Sequence, residues 1–358
     1  MKILLLGEIS ALHKNLKEGL VELGHEVVLA GGRDSYKMIP VDISFTPKTN
    51  NFISRAIYKF KPFFKLNYLV GYDVVQICGP FVLKNKYFFA DFILDLIRKK
   101  NKKFFLLAAG NDGFFWMNAS ERLKYNPLDD FLKTDRKGIL PFAATSQGYD
   151  YNKRVLEFAD GLIPIMYEYE KCYEGVNNKL GTIPIPINTD KVVYKENIVN
   201  KKLVVFHGLS RYGFKGTKYV EEAFSYLKEK YPNDLELIID GKMPLDKYLG
   251  VMARANVVID QTSSYSLGVN GVYALAMGKI VMGGAEPESL KSLGVARTPV
   301  INIKPDAQSI IVEVEKLLLN RNKITEMGLE SRRFVEDVHG HRKVASQYLN
   351  AWTSISNC

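Results

Sequence analysis

Cysteine is scarce in this chain: Cys78, Cys172 and Cys358 stand far apart and are odd in number. They give neither a disulfide framework nor a metal-ligand spacing, so the thiols are expected to stay reduced. No apolar stretch approaches the ~18 residues that a membrane-spanning helix needs; the earliest run, Ile3 to Leu6, is stopped by Gly7 and Glu8. That run is also too short for a secretory leader, which places the chain in the cytoplasm. The sequence has no GxGxxG, no Walker A loop, no GxSxG elbow and no HExxH. Nicotinamide, flavin, P-loop and zinc-protease chemistry therefore fit poorly, and neither a metal nor another cofactor is expected. Heptads, short repeats and low-complexity tracts are missing too, which removes coiled coils and solenoids. Acidic residues are wholly absent between Asp42 and Asp73.

What is present is globular and basic. The 358 residues exceed one ordinary core and suit two. With 47% hydrophobic and 25% charged residues the chain is not disordered. The formal net charge of +10 suggests an anionic partner. In the acid-free stretch Lys48, Arg55, Lys59, Lys61 and Lys65 alternate with Phe52, Ile57, Tyr58, Phe60, Phe63 and Phe64. Such a segment can lie on an anionic membrane surface or can be a solvated connection with a few core aromatics. Nucleic acid is disfavoured, because no helix-turn-helix, zinc or single-strand-binding signature accompanies the charge.

The rhythm of the chain is β-α-β. Apolar runs at Lys2 to Leu6 and Glu26 to Ala30 flank a stretch in which Leu12, Leu16, Leu20 and Leu23 share one helical face, with Gly24 as its stop. Further strands are expected at Tyr72 to Cys78, Lys103 to Ala109 and Ala159 to Pro164, and helices at Leu83 to Lys100 and Tyr167 to Tyr173. Thr182 to Asn188 contains Pro184 and Pro186 and predicts an extended linker. Beyond it the rhythm restarts, with strands at Leu203 to His207, Leu235 to Ile239, Val257 to Asp260 and Ile280 to Met282. Helices are expected at Tyr219 to Tyr231, Leu245 to Ala253 and Gly271 to Met277. Strand runs without polar alternation imply parallel sheets covered on both faces, hence α/β with two doubly wound, Rossmann-like domains.

In such sheets ligands lie beyond the carboxyl ends of the strands. The loop Gly7-Glu8-Ile9-Ser10 lets backbone approach a ligand, and Gly110-Asn111-Asp112-Gly113 can bond hydroxyls or be a plain turn. His207 to Thr217 places Arg211, Lys215 and the glycines Gly208, Gly213 and Gly216 between a strand and a helix. Glycine, cations and helix N–H groups together suit a diphosphate. Asp240-Gly241-Lys242 and the hydroxyl-rich Gln261 to Gly268 follow the next strands.

Arg211 with Lys215-Gly216, the loop ending Leu267-Gly268, and Ala274-Leu275-Ala276-Met277-Gly278-Lys279-Ile280-Val281 resemble the donor domain of GT-B glycosyltransferases of the large family-4 type. Gly19 to Val27, Ala159-Asp160 and Ile183 to Asp190 are similar to other parts of that family. The resemblance implies an N-terminal acceptor-binding domain over 1–187, completed by a C-terminal helix at 342–358, and a nucleotide-sugar-binding domain over 188–341. It implies a retaining transfer, here read as metal-independent, from a nucleotide-sugar to a glycan or lipid-linked acceptor hydroxyl, in the cytoplasm, with a peripheral place at the inner face of the membrane as the expectation for a lipid-linked acceptor.

The expected donor side is Gly208, Arg211, Lys215, Gly216, Asp240, Ser266, Leu267, Gly268, Tyr273 and Glu286. The acceptor side is Gly7, Ser10, Asn111 and Asp112, with Asn111, Asp112, Arg211 and Lys215 as catalytic candidates. Tyr265 and Tyr273 stand where the family has its two glutamates, and a tyrosine can neither chelate a diol nor carry charge at neutral pH. Glu286 and Glu288 are the nearby acids that could substitute. Two alternatives stay open: an inactive nucleotide-sugar or glycan binder of the same fold, and a nucleotide-sugar epimerase.

Overall fold

The computed structural model describes residues 1–32, 39–45, 64–83, 90–133, 140–209, 212–241 and 243–355. The apolar runs fold as strands. Lys2–Leu6 (β1), Glu26–Gly31 (β2), Ile43–Ser44 (β3), Val74–Cys78 (β4), Lys103–Ala108 (β5) and Gly161–Pro164 (β6) make one parallel sheet, ordered β3-β2-β1-β4-β5-β6. Leu203–Gly208 (β7), Leu235–Asp240 (β8), Val257–Ile259 (β9), Ile280–Gly283 (β10) and Ile301–Asn302 (β11) make a second, ordered β11-β10-β9-β7-β8 and also parallel. β4, β6 and β9 are buried along their whole length. Helices on both faces are the reason these runs need no polar alternation.

The first half carries helices Leu12–Glu22 (α1), Ala90–Lys100 (α2), Gly113–Arg122 (α3), Pro127–Lys133 (α4), Ser146–Phe158 (α5) and Tyr167–Cys172 (α6). The second carries Thr217–Lys230 (α7), Leu245–Arg254 (α8), Val269–Ala276 (α9), Pro287–Leu293 (α10), Ala307–Leu319 (α11) and Ile324–Phe334 (α12), and His341–Ser354 (α13) follows. Leu12, Leu16 and Leu20 are fully buried. α1 ends at the glycine the sequence marks, where the N–H groups of Gly24 and His25 return to the carbonyls of Val21 and Leu20.

α13 crosses back to the first half and packs on α1. Its Trp352 is fully buried and donates from Nε1 to Gln76 Oε1 at 3.1 Å, while Lys103 Nζ reaches the carbonyls of Trp352 and Ile355. The outgoing and returning segments are laced together, because Ile187 N–H donates to His339 O and His341 N–H to Ile187 O. One apolar cluster runs from the first sheet onto one face of the second, and a smaller one around Val205, Leu227, Ile259 and Val314 fills the other face.

In each sheet the strand order reverses beside the half's first strand, β1 or β7. Loops diverge at such a point, so 7–11 in the first half and 212–216 and 260–268 in the second are where a fold of this kind takes a ligand. Among the described residues no helix is long and apolar enough to cross a membrane. Of the basic aromatic segment from Arg55 to Lys65, only Phe64 and Lys65 fall within the described residues. Cys78 and Cys172 are both buried.

Candidate active site

β7 ends on His207, a buried imidazole whose Nδ1 lies 2.9 Å from Ile259 O and whose Nε2 lies 3.0 Å from Thr217 Oγ1. A carbonyl only accepts, so Nδ1 carries the proton and Nε2 takes the threonine hydroxyl. Burial, with Lys215 adding to it, lowers the His207 pKa to about 4 and keeps the ring neutral. The ring thereby fixes Thr217, the first residue of α7. Gly216 precedes it at φ +66, and a Cβ there would collide with the Thr262 hydroxyl. Among the described residues no side chain caps α7, and Tyr219 N–H turns back to the Gly216 carbonyl at 3.0 Å, which leaves the N–H groups of Thr217 and Lys218 for solvent or a ligand. Lys215 is buried beside them, its Nζ 3.1 Å from Asp260 Oδ1. Asp260 Oδ2 accepts Gly268 N–H at 2.7 Å. Thr262 Oγ1 is buried with no hydrogen-bond partner among the described residues.

The other donor-side expectations divide. Arg211 lies outside the described residues. Asp240 is exposed at the end of β8, its Oδ1 accepting Gly241 N–H at 2.6 Å. Leu267 packs its Cδ2 toward Gly271 and Gly283. Ser266 is engaged by Glu168, as described below for the seam between the halves. Glu286 accepts from the Tyr125 hydroxyl, from Lys304 Nζ, and from Asn302 Nδ2 at 3.0 Å. Burial raises its pKa, but the bonds from Lys304, Tyr125 and Asn302 outweigh it and hold the carboxyl below its ordinary value.

The two tyrosines at the glutamate positions both bridge the halves. Tyr273 is buried, and its hydroxyl accepts Asn15 Nδ2 from α1 at 3.0 Å. Burial pushes its pKa up to about 12, so it stays a neutral hydroxyl. Tyr265 accepts Lys124 N–H at 3.0 Å, and its ring stacks on Tyr125 with centroids 4.9 Å apart. A second ring from the first half, Tyr167, lies 5.3 Å away.

On the facing side, Gly7 has φ +90, and a Cβ would fall 2.5 Å from Val82 Cγ2. Ser10 and Ala11 follow with φ 56 and 68, so the turn into α1 is tight. His13 anchors it, with Nδ1 2.7 Å from Gly7 O and Nε2 3.1 Å from Gln76 Nε2. Burial lowers its pKa to about 4. Asn111, at φ 56, donates its N–H to the Tyr169 hydroxyl at 2.8 Å. Asp112 departs from expectation. Its side chain is only 1% exposed and turned into the first half, accepting Phe115 N–H at 3.0 Å as the N-cap of α3 and the Tyr173 hydroxyl at 2.8 Å. Burial raises its pKa to about 7. Capping the start of α3 draws the carboxylate inward, where it also holds the loop.

Two residues outside the expected site, Asp130 and Glu168, stand at the seam between the halves. Asp130 on α4 accepts from Lys218 at 2.6 Å, Ser263 at 3.2 Å and Tyr219 at 3.3 Å. Glu168 on α6 accepts from Tyr265 N–H at 2.8 Å, Ser266 N–H at 3.0 Å, Ser266 Oγ at 2.7 Å and Ser264 Oγ. Asp260 lies inside the second half, at the end of β9, where its carboxylate holds Lys215 and Gly268. The position of Asp260, an acid closing a buried strand, was the available signal. Among the described residues one trio, Glu22, Asp190 and His341, has metal-ligand spacing. It sits at the other end of α1, roughly 15 Å along the helix, and Arg342 occupies it at 2.5 Å from both carboxylates.

Neither a protein-family model nor a curated protein sequence matches the chain. Solved structures do. Sucrose-phosphate synthase from Thermosynechococcus elongatus aligns over 99% of each chain at 14% identity with a TM-score of 0.60. HepE from Anabaena, in complex with UDP-glucose, aligns over 99% of this chain and 100% of its own at 14% identity and 0.59. AviGT4, a glycosyltransferase involved in avilamycin A biosynthesis, aligns over 99% and 98% at 16% identity and 0.56. With two parallel α/β halves facing across a crevice, the chain has the GT-B fold of these glycosyltransferases.

Proposed function

We propose that the protein is a glycosyltransferase that moves a sugar from a nucleotide-sugar to a hydroxyl of a glycan or lipid-linked acceptor. One observation carries this reading: the uncapped start of α7, buried Lys215 and the unpartnered Thr262 hydroxyl meet in one loop cluster at the crevice of the second half. Helix N–H groups and an ammonium suit a diphosphate. When the glycosidic bond breaks, the departing nucleoside diphosphate gains negative charge, and donors already fixed in place lower that barrier. Arg211 is proposed to join Lys215 there. Gly208, Gly216, Leu267 and Gly268 would shape the donor side, and Gly7, Ser10 and Asn111 the acceptor side, with Asp112 holding the Asn111 loop. Retention is a part of this reading that rests on the resemblance to family 4, and independence of a metal rests on the lack of a DxD-like motif in the strand-end loops. A lipid-linked acceptor would give the segment from Arg55 to Lys65 its anionic surface, which salt-sensitive sedimentation with anionic vesicles tests.

The UDP and UDP-glucose named in the HepE structures make UDP the first probe. Calorimetry should show UDP binding that Lys215→Ala weakens by about 1.5–3 kcal/mol, the range for hydrogen bonds to charged groups; equal affinities would retire the site. A second reading, a binder without turnover, draws on the two tyrosine hydroxyls already bonded across the seam. UDP release from UDP-glucose that depends on an acceptor separates the two, and acceptor-free interconversion of the sugar would instead indicate an epimerase.

A further inference from the structure

The contact between Glu168 and the 264–266 segment differs from the rest of the seam. Both oxygens of one carboxylate from the first half accept hydrogen bonds, and all their donors lie on one short loop of the second half. Two donors are backbone N–H groups, so the bonds fix the path of the chain as well as its side chains. Glu168 is 1% exposed, and Ser264 and Ser266 are buried with it. Charge-assisted bonds sheltered from water are the strong kind. A cavity of about 30 Å³ borders the contact, lined by Ile165, Met166, Ser266, Leu267 and Ser289 among others. That is room for about one water. The Tyr265 ring packs on Tyr125 and Tyr167 of the first half, and beside that packing the Glu168 bonds hold the backbone of the loop.

We propose that Glu168 is a positioning residue that latches the two halves together and, through the same bonds, sets the shape of the 264–266 loop. Closure and loop shape are then one event. When the halves part, Tyr265 and Ser266 lose the acceptor for their N–H groups and the loop relaxes; when they meet, the loop is drawn into form. The latch stands on hydrogen bonds alone, while its consequence for a ligand rests on the proposed function. A ligand entering the crevice must find the latch open and is retained when it closes.

Small-angle X-ray scattering of the full chain without ligand tests the latch. Glu168→Ala should shift the radius of gyration upward relative to the wild type, since loss of these bonds changes the closed-to-open ratio at least about tenfold. Ser264→Ala/Ser266→Ala keeps the carboxylate and its backbone donors, so it gives a smaller shift in the same direction and guards against misfolding of the first variant. Circular dichroism confirms that each is folded. With UDP as probe, Glu168→Ala should associate faster and bind more weakly, a pairing that loosened packing alone does not produce. Superimposable scattering from the wild type and both folded variants would overturn the latch, and so would a wild type already as extended as Glu168→Ala. If UDP binds none of the proteins, the proposed function falls, and the scattering still decides the latch.

Discussion

The two halves fix their crevices with the same device, a buried neutral imidazole, and differ in what stands around it. His13 is held between the Gly7 carbonyl and the Gln76 amide, and burial alone depresses it. His207 is held between the Ile259 carbonyl and the Thr217 hydroxyl, with the charges of Lys215 and Asp260 acting on it. Fixing the end of a strand is thus a requirement of the fold, met in both places. The Lys215–Asp260 pair stands beside only one of them, and it is the one the proposed function uses.

Acid should undo both anchors, and this is the largest expected effect. Their folded pKa of about 4 lies below the ordinary 6.5, as does that of His339, so the unfolded chain binds the extra protons between those values. Stability therefore falls as pH drops from 6.5 toward 4, by on the order of 3 kcal/mol for each histidine. Asp112 works in the opposite sense. Its folded pKa of about 7 exceeds the ordinary 3.8, so its contribution rises as pH falls through that window. Denaturant midpoints at pH 7 and 4.5 should show the acid loss, His13→Asn should flatten it, and Asp112→Asn should steepen it.

Next in size are the two glycines. Gly7→Ala and Gly216→Ala should each cost roughly 1–3 kcal/mol of unfolding free energy, because both positions have positive φ and no room for a methyl group. The comparison sharpens if only Gly216→Ala also weakens UDP, and it breaks if Gly7→Ala does so equally. The smallest effect is Tyr273→Phe, which removes one neutral hydrogen bond from Asn15. A loss of about 0.5–1.5 kcal/mol in unfolding free energy is expected; a loss in UDP affinity with unchanged stability would mean that the hydroxyl serves the ligand.

The sheets were legible because buried parallel strands are written as uninterrupted apolar runs, and the Lys215 loop because glycine and cations between strand and helix have a local reason to be there. Tyr273 was singled out, but its partner was not, since Asn15 on a leucine-spaced helix looks like any polar residue of that face. Glu168 was passed over for the same reason. In Tyr167-Glu168-Tyr169-Glu170 nothing separates a latch from a solvated acid, and its backbone partners are 97 and 98 residues away. Contacts across a seam have no period, so sequence patterns do not carry them.

The return of α13 to the first half sets an order in time. Trp352 completes the burial of Gln76 on β4, and Lys103 on β5 finds carbonyl partners at Trp352 and Ile355, at the end of α13. During synthesis the second half can gather its own sheet while the first, although made earlier, still lacks a wall. At ribosomal speeds of ~5–20 residues per second, the wait between Ile187 and the arrival of Trp352 is on the order of 10–30 s. Through that interval the nascent first half exposes the apolar groove on α1 that α13 will fill, so the portion made first is the last to be sealed.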